Sequence, residues 1–176
     1  MTEETEFELA LLTPADAKAL NFLFKENKDY FKAYFPETLK KNKTLKASKA
    51  YIEEAITLSE EKKAFHFALI TCIHPEIAGL VILKEIDHEK SEAEIAYCLD
   101  KRFQGRGWIT QSVQRISDFA HINHQISNYR IITHSSNLKS IEVAQRNGFI
   151  WHSTLKNEFK PTPEKAQDME LYILKK

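Results

Sequence analysis

The sequence predicts an α/β fold with a mixed, mostly antiparallel sheet of about seven strands and about four flanking helices. Two observations lead to this prediction. Short segments with the two-residue alternation of strands are interspersed with longer segments in which apolar residues recur every three or four positions. The resulting order, β-α-α-β-β-β-α-β-α-β-β, is typical of an α/β architecture with a mixed sheet.

Length and composition limit the class of protein. A chain of 176 residues suits one domain, which we expect to span residues 1–176. Lys+Arg and Asp+Glu both total 25, so the chain carries no net charge, and we expect neither a nucleic acid nor a membrane as partner. The acidic start, the short apolar runs and two cysteines without metal-type spacing predict a cytoplasmic protein that binds no metal.

The first half of the chain is predicted to contain three strands and two helices. Residues 7–11 alternate as a half-buried strand does, and Thr-Pro-Ala-Asp at 13–16 is typical of a helix start. Residues 51–56 place apolar side chains on one side of a second helix. The segments 64–71 and 78–86 are strand-like, and His-Pro-Glu between them indicates a turn, which predicts an antiparallel hairpin.

The second half is predicted to alternate strands and helices before ending in two strands. Gly148 is the expected C-terminal cap of the last helix. A Pro-Thr-Pro loop at 161–163 is expected to separate the last two strands. The predicted ranges are a strand at 95–99, a helix at 109–120, a strand at 129–133, a helix at 137–147, and strands at 149–155 and 169–174.

A glycine-bearing loop between the strand at 95–99 and the following helix is the most informative segment. Two of the four glycines, Gly105 and Gly107, stand here one residue apart. Glycine lets the backbone approach an anion, and a helix start has N–H groups without an intrahelical partner, so the loop is predicted to bind phosphate. Thr110 occupies the third glycine position of the dinucleotide fingerprint, and the Gly-Lys-Ser/Thr of the nucleotide P-loop is absent from the sequence.

The segment 102–107, Arg-x-x-Gly-x-Gly, resembles the Gln/Arg-x-x-Gly-x-Gly/Ala pyrophosphate loop of the GNAT superfamily of N-acetyltransferases. Residues 93–100 resemble the fourth strand of that family, and residues 137–149 resemble its Asn-x-x-Ser/Ala helix with the Gly-Phe that follows it. Together these motifs, over residues 93–150, resemble the RimJ/RimL branch, the ribosomal-protein N-acetyltransferases. The resemblance implies a GNAT-like sheet whose fourth and fifth strands splay apart and admit the cofactor between them.

The resemblance also implies acetyl-coenzyme A as cosubstrate. The loop backbone would bind its pyrophosphate, and the edge of residues 97–99 would pair with its pantetheine arm. Asn137 matches an asparagine that contacts this arm, although capping the following helix is an equally supported role. The predicted cofactor-binding residues are Tyr97, Cys98, Leu99, Gln104, Gly105, Arg106, Gly107, Trp108, Ile109, Thr110 and Asn137.

Direct acetyl transfer to an amine needs a base for the amine and an acid for the departing thiolate. Glu94, on the motif strand, and Glu158, near where the branch often places an acid, are equal candidates for the base, against a surface or structural role for each. Ala144 stands where many family members have a tyrosine that protonates the thiolate. Ser140, one helical turn earlier, is therefore the candidate for this role, and its alternative role is to be small beside the cofactor.

Two functions from different classes follow from these residues. The first is an acetyl-coenzyme A-dependent N-acetyltransferase acting on a primary amine. A protein N-terminal α-amine is the favoured acceptor, and a small amine such as a polyamine, amino acid or antibiotic is the alternative. The second is a non-catalytic acyl-coenzyme A-binding module, for which Ala144 is the only indication in the sequence. A homodimer is expected only by analogy with the branch.

Overall fold

The computed structural model describes residues 6–162 and 165–176, which form seven strands and six α-helices. The strands are β1 (Phe7–Leu11), β2 (Phe65–Thr71), β3 (Ile77–Asp87), β4 (Glu92–Leu99), β5 (Asn128–Thr133), β6 (Ile150–Thr162) and β7 (Lys165–Lys175). The helices are α1 (Ala17–Glu26), α2 (Lys28–Tyr34), α3 (Pro36–Lys41), α4 (Leu45–Glu60), α5 (Trp108–His124) and α6 (Leu138–Arg146).

Hydrogen bonds join the seven strands in the order β1-β2-β3-β4-β5-β7-β6. The pairs β1 with β2, β5 with β7, and β6 with β7 are antiparallel. The pair of β4 with β5 is parallel, which makes the sheet mixed. The predicted α/β fold with a mixed, mostly antiparallel seven-stranded sheet is confirmed.

The parallel pairing of β4 with β5 is short. In the described residues it joins Glu92–Glu94 to Asn128–Arg130 and goes no further, although β4 continues to Leu99 and β5 to Thr133. Three paired residues, followed by continuations that no longer pair with each other, are the backbone pattern of two strands that splay apart. The predicted splaying of the fourth and fifth strands is confirmed.

The described residues contain two more α-helices than the predicted four, because the segment between α1 and α4 is interrupted twice. Asn27, at φ −106° and ψ 18°, ends α1, and its Nδ2 donates to the Leu23 carbonyl oxygen at 3.1 Å. Phe35, at φ −140° and ψ 42°, ends α2, and Pro36 then begins α3. Proline is suited to a first helical position because the N–H that it lacks would have no intrahelical partner there.

The last two strands are longer than predicted. β6 extends to Thr162 and β7 begins at Lys165, so the predicted loop at 161–163 is wrong for residues 161 and 162, while residue 163 lies outside the described residues. The register between β6 and β7 shifts at three places, one of them between Leu155 and Phe159. Asn157, in this interval, has a φ of 55°. These irregularities interrupt the two-residue alternation, which is why the sequence pattern stops at 155.

The chain divides into two compact units. Unit 1 is formed by Met1–Ile82 and Tyr97–Trp108, and unit 2 by Leu83–Ala96 and Ile109–Lys176. The core of unit 1 includes Leu20, Leu23, Phe24, Phe31, Ile52, Leu80 and Cys98. In unit 2, Tyr129 is fully buried, and its hydroxyl lies 2.8 Å and 2.7 Å from the carbonyl oxygens of Ser117 and Ile126. The single domain over 1–176 stays a prediction.

Candidate active site

The loop between β4 and α5 has a backbone that requires its two glycines. Gly105 and Gly107 have φ angles of +80° and +75°, in the left-handed region that side chains with a Cβ rarely adopt. A Cβ added at either position would meet no atom within 4 Å, so open space surrounds both glycines. The conformation, and not crowding by the protein, accounts for glycine here.

The loop leads directly into the first turn of α5, a helix of 17 residues. The first N–H groups of any α-helix have no acceptor within the helix, and its dipole places partial positive charge there. Ile109 and Thr110 belong to this first turn. The glycine loop and the start of α5 together form a backbone suited to an anion, and the phosphate-binding role of this segment stays a prediction.

The side chain of Trp108 anchors the junction between loop and helix. It is 4% exposed, and its ring stacks on Phe103 at a centroid distance of 5.2 Å and lies 5.3 Å from the Phe7 ring. Its Nε1 donates to a Glu6 carboxylate oxygen at 2.9 Å. The Arg106 guanidinium lies 5.5 Å and 5.3 Å from the centroids of the Phe103 and Trp108 rings. The Trp108 side chain therefore packs inside the protein, and only the backbone of Trp108 is available to contact a ligand.

The predicted pantetheine edge, residues 97–99, is the end of β4. Cys98 points into the core of unit 1 at 7% exposure, and burial raises the pKa of its thiol to about 12, so it stays protonated at neutral pH. A Cβ at Gly79 of β3 would lie 2.4 Å from the Cys98 carbonyl oxygen. Gly79, which the sequence analysis did not single out, is therefore required for the close approach of β3 to this edge.

Asn137, Ser140 and Ala144 follow one another along α6, from its N-cap to near its C-terminal end. The Asn137 Oδ1 accepts a hydrogen bond from the Ser140 backbone N–H at 3.3 Å, so the capping role considered for Asn137 is present. Ser140 is half-buried, while Ala144, four residues later on the same face, has 0% exposure. Because Ala144 has no exposed surface, a larger side chain at this position would have to displace packed atoms.

The two candidate carboxylates have contrasting surroundings. Glu94 of β4 is 7% exposed, and one carboxylate oxygen forms an ion pair with the Lys84 ammonium at 2.9 Å. Glu158 lies on β6 with an exposed side chain. The sequence ranked the two carboxylates together, but their surroundings differ. Glu94 is buried and already engaged by an ion pair, whereas the Glu158 side chain is open to solvent.

The predicted site residues fall in both compact units. Residues 97–99 and 104–108 belong to unit 1, where chain continuity brings the strand edge and the glycine loop together. The other predicted residues belong to unit 2, and they are Glu94, Ile109, Thr110, Asn137, Ser140 and Glu158.

Neither a cluster of metal-binding side chains nor a membrane-spanning helix occurs among the described residues. Within the described ranges, no group of three or more His, Cys, Asp or Glu side chains is placed to hold a metal ion. The His121 Nδ1 lies 3.0 Å from the Ile126 carbonyl oxygen. No α-helix in the described part of the chain has the length and apolar character needed to cross a bilayer.

Comparison with known proteins identifies the family. A family model described as the acetyltransferase (GNAT) domain matches residues 6–150. A probable N-acetyltransferase of Bacillus subtilis, YjcK, is 28% identical over 141 residues, which cover 78% of this chain and 77% of the relative. The ribosomal-protein-serine acetyltransferase of Escherichia coli is 33% identical over 81 residues, which cover 46% of this chain and 45% of the relative.

A solved structure shows the same fold. The ribosomal L7/L12 α-N-protein acetyltransferase RimL, in complex with coenzyme A, superposes with a TM-score of 0.88 at 24% identity, covering 98% of this chain and 95% of that one. The family match spans well over half of the chain, from residue 6 to residue 150. The chain therefore belongs to the GNAT acetyltransferase family and is an N-acetyltransferase.

Proposed function

We propose that this enzyme transfers an acetyl group from acetyl-coenzyme A directly to a protein N-terminal α-amine. The observation that carries the proposal is the loop with Gly105 and Gly107 at positive φ, surrounded by open space and followed by the start of α5. The similarity to a ribosomal-protein-serine acetyltransferase supports the acceptor class, and the coenzyme A complex of RimL supports the cosubstrate. A cytoplasmic location and a homodimer stay predictions.

For the cosubstrate, we assign the backbone N–H groups of residues 105–110 to the pyrophosphate, because the Gln104 N–H already donates to the Lys101 carbonyl oxygen at 3.5 Å. The backbone at residues 97–99 pairs with the extended pantetheine arm, and Cys98 contributes only main-chain atoms because its thiol is buried in the core. Asn137 uses its Oδ1 to cap α6, which leaves its Nδ2 as the atom that donates to the arm.

For the chemistry, the amine nitrogen attacks the thioester carbonyl, the C–S bond breaks, and the thiolate takes up a proton. An α-amine has a pKa near ~8, so on the order of a tenth is already neutral at pH 7, whereas a lysine near ~10.4 is almost entirely charged. Glu158 or Glu94 accepts the amine proton, and the Ser140 hydroxyl donates a hydrogen bond to the departing thiolate. An α-amine acceptor therefore needs little assistance from a general base.

The loop is tested by substitutions that add the same volume with and without charge. Gly107→Asp and Gly107→Asn introduce nearly isosteric side chains at a φ of +75°, a conformation that both residues tolerate better than most. We expect the aspartate variant to bind coenzyme A more than tenfold more weakly than the asparagine variant, because its carboxylate repels the pyrophosphate. Isothermal titration calorimetry with coenzyme A measures both affinities.

The control for backbone strain is Gly148→Asp. Gly148 follows the end of α6 and has a φ of +80°. This variant has a similar conformational cost without a carboxylate in the loop, so we expect it to bind coenzyme A as the parent does. Equal affinities of the Gly107→Asp and Gly107→Asn variants would overturn the assignment of the loop to the pyrophosphate.

The acceptor is tested with a panel of amines. Thiol release from acetyl-coenzyme A is measured with peptides carrying a free N-terminus, with the same peptides blocked at the N-terminus, and with polyamines, amino acids and aminoglycosides. We expect release only with free N-termini. Release with small amines alone identifies the alternative acceptor class, and coenzyme binding without release for any amine indicates a non-catalytic binding module.

A further inference from the structure

Arg102, the first residue of the Arg-x-x-Gly-x-Gly segment, is enclosed by two carboxylates. Its Nη2 lies 2.9 Å from Asp100 Oδ2 and 2.9 Å from Glu76 Oε2. Its Nε donates to Asp100 Oδ2 at 3.1 Å, and its Nη1 lies 3.4 Å from Glu76 Oε1. All three guanidinium nitrogens are therefore engaged by the protein itself, and the hydrogen bond with Asp100 contributes most to raising the Arg102 pKa.

Asp100 connects this ion pair to the loop backbone. Its side chain is 2% exposed, and its Oδ1 accepts the Arg102 backbone N–H at 2.8 Å. Burial raises the pKa of Asp100, but the hydrogen bonds from Arg102 and Asn27 outweigh burial and leave it below its usual value, so the carboxylate is ionised. Its own N–H donates to the Ala78 carbonyl oxygen at 2.7 Å, which joins the loop start to β3.

Asn27 adds a second attachment from the junction of α1 with α2. Its side chain is buried, and its Oδ1 accepts the Lys101 backbone N–H at 3.2 Å. The start of the loop is thus held by residues that are distant in sequence, with Glu76 26 positions and Asn27 74 positions away from their partners.

The charges of this cluster do not favour an anion. Asp100 and Glu76 carry two negative charges against the single positive charge of Arg102, so the group has a net charge of about −1 at neutral pH. Arg106, between the two glycines, differs in this respect. It is exposed, it lies over the Phe103 and Trp108 rings, and it forms no ion pair with a carboxylate of the described residues.

We propose that Arg102, with Asp100 and Glu76, is a positioning residue that holds the loop in its binding conformation, whereas Arg106 is the cation that meets the phosphate groups of the coenzyme. This inference rests on the proposed function of the loop. A preorganised set of backbone N–H groups binds an anion more tightly than a mobile set, because less conformational entropy is lost on binding. The aromatic rings under Arg106 restrict its guanidinium in the same way.

The test uses a double variant that removes both ion pairs of Arg102 without changing the net charge of the protein. Arg102→Gln with Glu76→Gln deletes one positive and one negative charge, and Arg106→Gln deletes a single positive charge. The coenzyme A dissociation constant of each is measured by calorimetry from low to high salt. Salt screens the attraction between an exposed cation and a phosphate, so the slope of affinity against salt reports on that attraction.

We expect both variants to lose about tenfold in affinity at low salt, which is the loss associated with one hydrogen bond to a charged group. The double variant keeps the salt slope of the parent, whereas Arg106→Gln flattens it. The control is Lys41→Gln with Glu54→Gln, which removes an exposed ion pair elsewhere in unit 1 and is expected to bind as the parent does.

Two results would overturn the proposal. A double variant with parental affinity shows that the Arg102 cluster does not position the loop, and a double variant with a flattened slope shows that Arg102 itself faces the phosphates. Failure of the proposed function looks different, because the parent then binds no coenzyme A at any salt concentration.

Discussion

The imidazole of His66 is held neutral inside unit 1. Its side chain on β2 is 9% exposed, its ring meets Tyr51 edge to face at 5.4 Å, and its Nδ1 has no hydrogen-bond partner among the described residues. Burial lowers the His66 pKa from 6.5 to about 4. Between these two values the unfolded chain binds a proton that the folded chain does not.

The free energy of unfolding is therefore expected to fall as pH decreases from about 6.5 to about 4, and His66 contributes up to about 3 kcal/mol of this loss. His66→Phe removes that contribution, so the variant loses less stability than the parent over the same pH range. Urea denaturation at several pH values measures the difference. His74→Phe, at an exposed histidine, is the matched control and keeps the parental pH dependence. A parental pH dependence in His66→Phe would contradict this account.

Substitution of Glu94 or Glu158 by glutamine is expected to have different effects, because only Glu94 is buried in an ion pair. Glu94→Gln breaks an ion pair with Lys84 at a site that is 7% exposed, whereas Glu158 is exposed. If Glu158 is the base, we expect Glu158→Gln to keep coenzyme affinity and stability while turnover falls roughly 10² to 10⁴-fold, most at low pH. Glu94→Gln should lower the thermal midpoint, because the Lys84 ammonium loses its partner. Steady-state kinetics and thermal unfolding separate the two effects, and full turnover in both variants would exclude both carboxylates as the base.

Helix α6 has a capped, half-buried first turn and a fully buried residue near its C-terminal end. Asn137 caps its first turn, Ser140 is half-buried on that turn, and Ala144 is fully buried one turn later. A hydroxyl at Ser140 that stabilises the thiolate acts in the transition state and so affects kcat. A hydroxyl introduced at residue 144 would first have to displace packed atoms.

We therefore expect Ser140→Ala to lower kcat by the equivalent of about 1 to 3 kcal/mol while acetyl-coenzyme A affinity changes less. We expect Ala144→Tyr to destabilise the fold by about 1 to 3 kcal/mol through overpacking, and not to restore the activity of Ser140→Ala. Steady-state kinetics and denaturation of the two single variants and the double variant test both expectations. Parental kcat in Ser140→Ala would remove Ser140 from the mechanism, and its other role, to be small beside the cofactor, would then explain it.

The whole chain is expected to unfold as one cooperative domain, even though it divides into two compact units. The strands β3 and β4 each run from one unit into the other, so melting of either unit removes part of a strand that the other needs. Calorimetry should give a van't Hoff enthalpy equal to the measured enthalpy. Coenzyme A at about 100 times its dissociation constant should raise the free energy of unfolding by about 2.7 kcal/mol and keep a single transition. Two separate transitions, of which coenzyme A shifts one, would contradict the prediction of one domain.

The sequence by itself determined the elements whose signals are local. The strand and helix periods, the glycine loop at 105–107 and the cap at Asn137 depend on residues that are neighbours in the chain, and the structure contains each of them. The interruptions that split the helices before α4, and the extension of β6 beyond 155, were missed because an Asn at a helix end and an irregular register leave weak or broken periodicity.

Only the tertiary structure decided what the chemically important side chains touch. In the sequence, Arg102 is part of a motif that predicts phosphate binding. In the structure, its guanidinium is engaged by Asp100 and by Glu76, which lies in the connection between β2 and β3. Glu94, a candidate base in the sequence, pairs with Lys84, and Ala144, which stands at the position of an expected acid, is fully buried. These facts depend on contacts between residues distant in sequence, which periodicity and spacing do not encode, because ion pairing and close packing are set where separate elements meet.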